Sequence, residues 1–252
     1  MRIIISPAKK MNTDTDSLPW LGLPCHLDRT RTILSLMRSM SFEELQKLWK
    51  CNEQIAKLNY QRIQNIDLEK LLTPAILAYE GIQYQYMAPN VFTNDEFDYI
   101  QEHFRILSGF YGILRPFDGV VPYRLEMQAK LKISGFSDLY SFWGTLLADT
   151  LSSETDCIID LASKEYSQAV IKHLPSSCNV ISCIFGEKTN GKIVEKGTMC
   201  KMARGEMVRF MAENKIHKAE TLKHFDRLRY FFSEEDSDEN KYVFIKNKEA
   251  PF

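Results

Sequence analysis

Residues 157–185, CIIDLASKEYSQAVIKHLPSSCNVISCIF, carry the pattern that decides the fold. The run 157–161 is apolar except for Asp160, which predicts a buried strand. Residues 166–174 place their apolar side chains on one helical face, and a second apolar run at 180–185 predicts another strand. Strand, helix and strand in this order indicate a βαβ unit with two parallel strands.

The flanking sequence supplies further strands and helices. The β-branched run 3–5 predicts a buried strand that ends at Ser6-Pro7. Capping boxes at Ser41 with Glu44, and at Thr93 with Glu96, predict two helix starts. The C-terminal third predicts a helix over 201–214, a short helix near 221–225, and strands over 228–232 and 242–245.

Four other segments have patterns that predict particular elements. Residues 74–79 predict a strand, and the helix that begins at Thr93 is predicted to run to Ser108-Gly109. Residues 137–151 predict one amphipathic helix. Asn190-Gly191 predicts a hairpin turn with a returning strand over 193–199.

Strands at both ends with helices between them predict the fold class. We expect an α+β protein in which residues 1–252 form a single domain, with helices around a mixed β-sheet. The composition agrees, because 44% hydrophobic and 12% aromatic residues are typical of a globular protein and exclude collagen-like or disordered chains. We expect a cytoplasmic protein that does not enter membranes, because no apolar run approaches the roughly 18–20 residues of a span.

The near-neutral charge is a sum over two unlike parts. The 32 basic and 33 acidic residues give a formal net charge of −1, but residues 234–239 hold five acidic residues and no basic one. The remainder therefore carries a net charge of +4. Residues 188–209 alone hold six basic and two acidic residues. We therefore expect a confined basic cleft rather than a wholly basic surface.

Within that basic segment, Lys201, Arg204 and Arg209 fall within about 140° of one another on a helix. Three cations on one face suit phosphate binding, and arginine contributes a fork of donors. The alternative is an ordinary solvated helix face.

The cysteines and histidines do not form a metal-binding pattern. The six cysteines include no CxxC pair, and the five histidines provide no partner at ligand spacing. We expect reduced thiols, no metal and no cofactor. Of the cysteines, only Cys200, beside Lys201, partly fits the environment of a peroxide-reactive thiol.

Six ordered segments carry a family resemblance that spans essentially the whole chain. They are ISPAK at 5–9, LSGFYGILRP at 107–116, PYRLEM at 122–127, LYSFWG at 139–144, LASKEY at 161–166 and ARGEMVRF at 203–210. Together they resemble the YaaA family of bacterial peroxide-stress proteins. The first segment departs from the family pattern, because Lys10-Met11 follow where other members have a threonine.

The resemblance implies a cytoplasmic protein that helps cells survive hydrogen peroxide, in part by limiting free intracellular iron. It also implies an α+β fold, a positively charged cleft, a helix-hairpin-helix-like element and DNA binding. The sequence offers Gly109 and Gly112 for the hairpin, because glycine leaves backbone amides open to phosphates. A plain turn between two helices is the alternative.

Several of these segments place a charged or hydroxyl residue where a strand or turn meets a helix. The carboxyl ends of strands open onto ligand crevices in α/β arrangements, so we expect these residues to line one cleft. The predicted DNA- or phosphate-binding residues are Lys9, Arg115, Arg124, Ser163, Lys201, Arg204 and Arg209. For Ser163 and Glu165, helix capping is an equal alternative. Asp160, inside an apolar strand, needs a partner, and an arginine from the cleft is the expected one.

Two functions remain open at this stage. The first is sequence-independent binding of duplex or branched DNA through the cleft. The second is an enzyme that acts on a nucleotide or nucleobase there, with Glu126, Asp160 or Glu165 as acid or base. Tyr123 and Trp143 are candidates to stack on a base, although Trp143 lies on an apolar helical face typical of the core.

Overall fold

The computed structural model of the chain describes residues 1–247. Within this range the strands are β1 Arg2–Ile5, β2 Lys10–Met11, β3 Thr73–Pro74, β4 Tyr79–Glu80, β5 Phe104–Ser108, β6 Gly112–Leu114, β7 Gly119–Val120, β8 Cys157–Asp160, β9 Asn179–Thr189, β10 Lys192–Val194, β11 Tyr230–Phe232 and β12 Lys241–Lys246. The α-helices are α1 Leu27–Ser39, α2 Phe42–Trp49, α3 Glu53–Asn65, α4 Ala75–Ala78, α5 Ile82–Met87, α6 Asn94–His103, α7 Leu139–Trp143, α8 Leu146–Glu154, α9 Lys164–Ile171 and α10 Gly197–Glu213. Short 3₁₀ helices cover Pro89–Val91, Ala219–His224 and Arg227–Arg229.

A mixed sheet lies at the centre of the fold, with the strand order β11-β12-β9-β8-β1-β5-β6 and with β10 paired to β9. The strands from β12 to β5 are parallel, and β11, β6 and β10 pair antiparallel with their neighbours. Helices and a sheet of both pairing types confirm the predicted α+β class.

The predicted βαβ unit is confirmed as β8, α9 and β9, with Ile158 opposite Val180 in parallel register. Strand β1 pairs with β8 on one side and β5 on the other, and its Ile3, Ile4 and Ile5 are fully buried. A strand buried on both faces has a continuous apolar run instead of alternation. The apolar runs of β1 and β8 were therefore recognisable from sequence as interior strands.

Both capping boxes are confirmed. The Ser41 and Thr93 hydroxyls accept from the backbone N–H of Glu44 and Glu96, and each glutamate side chain accepts from the N–H of its capping residue. These reciprocal bonds satisfy donors that the first helical turn leaves without partners.

The helix predicted to continue to Ser108-Gly109 ends at His103, and Phe104–Ser108 is strand β5. All five residues of β5 are buried, because the strand lies between β1 and β6. Phe104 and Leu107 match helical spacing only because burial on both faces removes the alternation of a strand.

The assignment of Gly109 and Gly112 to a helix-hairpin-helix element is therefore wrong. The turn joins the antiparallel strands β5 and β6, and the backbone N–H groups of Phe110 and Tyr111 both donate to Ser108 Oγ inside the core. Amides that are buried and already bonded do not bind DNA phosphates.

Three other predicted elements differ in extent. Residues 74–79 are mostly the buried helical turn α4, since a short apolar run fits a buried helix as well as a strand. The helix predicted over 137–151 is divided into α7 and α8 at Gly144, whose φ of 52° ends the first helix. The Asn190-Gly191 turn is confirmed with φ of 50° and 73°, but the returning strand ends at Val194 and α10 begins at Gly197.

Candidate functional site

A pocket of about 420 Å³ opens at the carboxyl ends of β1 and β8. Strands β1 and β8 are neighbours, but the chain leaves them in opposite directions along the strand order. After β1 it returns to the sheet at β5, on one side of the pair, and after β8 it returns at β9, on the other side. Such a reversal of strand order leaves a crevice outside the carboxyl ends of the two strands. The topology of the sheet thus locates the pocket.

Five segments of the chain form the wall of this pocket. Eight of the candidates predicted from sequence line it together: Lys9, Tyr123, Arg124, Glu126, Ser163, Glu165, Lys201 and Arg204. Its other lining residues include Ser6, Lys10, Glu80, Gln83, Tyr84 and Tyr166. Glu80, Gln83 and Tyr84 come from β4 and α5, where the sequence shows no pattern beyond Gly81.

Two serines meet at the floor of the crevice. The Ser163 N–H donates to Ser6 Oγ at 2.8 Å, and the Ser6 and Ser163 hydroxyl oxygens are 3.1 Å apart. The Tyr84 hydroxyl donates to the Ser6 carbonyl at 3.1 Å. Although Ser163 has the backbone conformation of an N-cap, its side chain makes no capping hydrogen bond with α9. The capping alternative therefore does not describe what the Ser163 hydroxyl does.

The segment that carries Arg124 and Glu126 is fixed from two sides. Gly109 lies directly beneath it, so that a Cβ atom there would lie 2.7 Å from the Leu125 carbonyl oxygen. On the other side, Glu165 Oε1 accepts from the Gln128 N–H at 3.2 Å. The role of Gly109 is thus to let this segment pass closely over the β5–β6 turn.

Helix α10 brings Lys201 and Arg204 to the pocket by packing closely on α5. At Gly205 the two backbones approach so closely that a Cβ atom would clash with the Gln83 carbonyl oxygen. Glycine is required wherever two backbones come this near. The position of the basic face of α10 therefore depends on the absence of a side chain at Gly205.

The pocket has more positive than negative side chains. Five basic residues and three acidic ones line it, which leaves an excess of two positive charges. Lys9 Nζ lies 2.9 Å from Glu126 Oε2, Arg124 lies 3.8 Å from the other oxygen of Glu126, and Arg204 lies 3.6 Å from Glu195. Within residues 1–247, the Nε atoms of Arg124 and Arg204 are buried and have no hydrogen-bond partner.

Two carboxyl groups at the site have raised pKa values. Burial raises the pKa of Asp160 to about 6, although the Ala162 N–H, the Ser167 hydroxyl and the charge of Arg204 oppose this shift. Burial also raises the pKa of Glu165, with a further contribution from the negative charge of Glu126. The expected Asp160–Arg204 pairing is therefore only electrostatic, because a backbone amide and a serine hydroxyl are the direct partners of Asp160. Asp160 lies behind the pocket and does not line it.

Arg115 and Arg209 lie outside the pocket. Arg115 Nε donates to Asp118 at 3.0 Å beside Cys25, and Arg209 Nε donates to Glu213 at 2.7 Å. Both arginines were predicted from sequence to bind phosphate. Each instead has a carboxylate partner three or four positions away. The basic excess of residues 188–209 is also partly neutralised, because Lys188 pairs with Glu235 and Asp236 of the acidic loop.

The two aromatic candidates have different positions. Trp143 is buried in the core, where Nε1 donates to the Gly109 carbonyl at 3.1 Å. Tyr123 lines the pocket, and its hydroxyl lies 2.8 Å from that of Tyr79 and 2.6 Å from Ser108 Oγ. Of the two, only Tyr123 reaches the pocket wall, where it is 4% exposed.

Metal-binding clusters, paired thiols and membrane-spanning helices are absent from the described residues 1–247. Among residues 1–247, no three His, Cys, Asp or Glu side chains cluster so as to hold a metal ion, and no helix has the length and apolarity needed to cross a membrane. The cysteines are all unpaired, and Cys200 is buried, which raises its thiol pKa.

The fold and pocket together define a class of α+β protein with a cationic, ligand-sized pocket at the carboxyl ends of its central parallel strands. Within this class, the chain belongs to the YaaA family of peroxide stress proteins. The family model described as "Peroxide stress protein YaaA" matches residues 1–236. The resemblance inferred from the six sequence segments is thereby confirmed.

Curated relatives match over almost their full length. The chain is 53% identical over 248 residues to a UPF0246 protein of Lachnoclostridium phytofermentans, covering 98% of this chain and 97% of the relative. It is 52% identical over 248 residues to a UPF0246 protein of Pediococcus pentosaceus, covering 98% and 99%. A UPF0246 protein of Desulfitobacterium hafniense is 53% identical over 246 residues, covering 98% of each chain.

Proposed function

We propose that this peroxide stress protein binds DNA, duplex or branched and without reading sequence, through the cations of the pocket. The observation that carries the proposal is the convergence of Lys9, Arg124, Lys201 and Arg204 on one concave site with an excess of positive charge. Phosphates provide the negative charge that balances this excess and acceptor oxygens for the donors of the arginines.

The cations differ in depth, which suits two kinds of phosphate contact. The Lys9 and Lys10 side chains are 64% and 78% exposed, whereas those of Arg124 and Arg204 are 12% and 14% exposed. The lysines at the rim attract the backbone at long range. The buried arginines form directed hydrogen bonds to a phosphate, because the guanidinium fork matches two of its oxygens.

The proposal includes a cytoplasmic role in limiting damage linked to iron. Cationic side chains that neutralise phosphates release the counterions held there, and ferrous iron is such a counterion. The protein would thus remove iron from DNA without binding the metal itself. Nicking of plasmid DNA by ferrous iron and peroxide should fall when the protein is added, and a variant that does not bind DNA should give no protection.

The direct test is a salt titration of labelled duplex and branched DNA by fluorescence anisotropy. We expect affinity to fall steeply with salt and the Lys201→Ala variant to have a salt slope lower by about one. Lys57→Ala, which removes an exposed lysine paired with Glu53 on α3, is the matched control. Affinity that stays flat between low and physiological salt would refute DNA binding through this pocket.

A second candidate function is an enzyme that acts on a nucleotide or nucleobase. The raised pKa of Glu165 favours it, because Glu165 lines the pocket beside fixed cations and a carboxyl group with a raised pKa suits proton transfer. Asp160 also has a raised pKa, but it does not line the pocket. Glu126→Gln and Glu165→Gln should abolish rescue of a peroxide-sensitive strain while DNA binding persists. Full rescue by both variants would leave Glu126 and Glu165 without a catalytic role.

A further inference from the structure

The size of the pocket limits what can enter it. A cavity of about 420 Å³ lies in the usual range of small-molecule sites, roughly 300–1,000 Å³. A B-form duplex, whose major groove alone is about 12 Å wide, does not fit inside. The rim can meet the backbone of a duplex, but the interior must hold something smaller.

The interior offers two kinds of surface. Hydroxyl and guanidinium groups come from Ser6, Ser163, Arg124 and Arg204, and aromatic surface comes from tyrosines that include Tyr123. Tyr123 is rigid, because its ring stacks on Phe110 with centroids 4.7 Å apart and its hydroxyl is bonded on both sides. Inorganic phosphate uses only the polar surface, whereas a nucleotide uses both.

Three buried nitrogen donors on the pocket residues, within the described residues 1–247, have no hydrogen-bond partner: Gln83 Nε2, Arg124 Nε and Arg204 Nε. A buried donor without a partner costs about 1–3 kcal/mol, so native proteins rarely retain one without a reason. Two guanidinium donors suit the oxygens of a phosphate. An amide donor suits an acceptor on the edge of a base.

From these observations we infer that the pocket holds a single nucleoside monophosphate unit, with its phosphate at Arg124 and Arg204 and its base between Gln83 and the tyrosines. The inference rests on the proposed function, because the unit is most simply supplied by an unpaired nucleotide of bound DNA. Extrusion of one nucleotide from a duplex is energetically easiest where it is already unpaired.

The experiment tests whether the nucleoside monophosphate comes from DNA or from free solution. It measures, by fluorescence anisotropy, how well competitors displace labelled duplexes from the protein. The labelled probes are a duplex with one unpaired nucleotide and the same duplex fully paired, and the competitors are each deoxynucleoside monophosphate, the parent nucleoside and inorganic phosphate. We expect at least fivefold tighter binding of the duplex with the unpaired nucleotide. Monophosphates should remove that difference at concentrations at which the nucleoside and inorganic phosphate do not.

Gln83→Leu provides the matched variant, because leucine is close in size and removes an unpartnered donor, so folding should be unaffected. It should reduce the preference for the unpaired nucleotide while binding of the paired duplex stays the same. Lys10→Ala, at the rim, should weaken both duplexes equally.

The possible failures are distinguishable. Equal binding of the two duplexes, with monophosphates no better than inorganic phosphate, would overturn the nucleotide pocket and leave DNA binding intact. Binding of monophosphates without binding of either duplex would support the pocket but overturn DNA as the partner. Binding of neither monophosphates nor DNA would overturn both proposals.

Discussion

Asp160 shows how one residue couples the βαβ unit to the pocket. It ends β8, accepts a hydrogen bond from the Ala162 N–H at 2.9 Å and lies near the positive charge of Arg204. Burial nevertheless dominates and raises its pKa to about 6 from the ordinary value of 3.8. The folded protein therefore binds a proton at Asp160 more tightly than the unfolded chain does.

This difference gives a prediction for Asp160→Asn. Because the folded pKa is raised, the stability contribution of the protonated carboxyl is complete below about pH 4 and is lost as pH rises through 6. An asparagine keeps an acceptor for the Ala162 N–H and never ionises. The variant should match the wild type near pH 4 and have a free energy of unfolding about 2 kcal/mol higher at pH 8.

Denaturant unfolding across this pH range measures the effect. Asp156→Asn, at an exposed position earlier in the same segment, gives the baseline for loss of a surface charge. A variant that is less stable than the wild type at pH 8 would show that Arg204 and the hydrogen bonds stabilise the ionised form of Asp160 more than burial destabilises it.

Glu126 limits the positive charge of the pocket, because it lies 2.9 Å from Lys9 and 3.8 Å from Arg124. Glu126→Gln releases both cations for phosphate contacts. Duplex DNA should therefore bind several-fold more tightly to this variant at low salt, and the gain should shrink as salt screens it. Unchanged or weaker binding in the same anisotropy assay would place the DNA away from Lys9 and Arg124.

At the residue scale, the sequence identified charged groups but not their partners. Lys9 and Ser163 were predictable because each follows the end of a buried strand. Arg115 looked equivalent, but Asp118, three residues later, neutralises it outside the pocket. Gln83 carries no sequence signal, because its place in the wall depends on the tertiary packing of α5 against α10.

Among the elements, those with explicit local signals were the predictable ones. The capping boxes at Ser41 and Thr93 and the Asn190-Gly191 turn are confirmed, because a few adjacent residues form the relevant hydrogen bonds. Strand β5 was missed for the opposite reason. Its conformation is imposed by neighbours on both sides in the sheet, and no local signal separates it from the preceding helix.

The contact between α10 and α5 gives a prediction at this scale for Gly205→Ala. Alanine is the better helix former, but its Cβ would clash with the Gln83 carbonyl oxygen, which belongs to the backbone and cannot move alone. The variant should lose about 2 kcal/mol of unfolding free energy and bind DNA less tightly, since α10 carries Lys201 and Arg204.

Gly197→Ala is the control on the same helix, because nothing lies within 4 Å of a Cβ atom at that position. It should be neutral or slightly stabilising by thermal unfolding. Equal stability of the two variants would mean that α10 and α5 separate more easily than their packing indicates.

For the whole molecule, a formal net charge of −1 is compatible with a cationic site because the charges are segregated. The acidic loop pairs with Lys188, and the free excess of positive charge is concentrated at the carboxyl ends of β1 and β8. The sequence predicted this segregation along the chain. It did not show that the segment with Lys9 and the helix with Arg204 meet at one crevice, because that depends on the tertiary structure around the ends of β1 and β8.

We propose that DNA binds at this pocket rather than along the whole basic face of α10. Arg204 and Arg209 lie on the same helix, but only Arg204 lines the pocket, while Arg209 is paired with Glu213 outside it. The most direct test is the affinity of Arg204→Gln and Arg209→Gln for a duplex with one unpaired nucleotide, measured by anisotropy at fixed salt. We predict about tenfold weaker binding for Arg204→Gln, as expected for the loss of a charged hydrogen bond, and less than about twofold change for Arg209→Gln. Equal losses in the two variants, or none in either, would contradict DNA binding at this pocket.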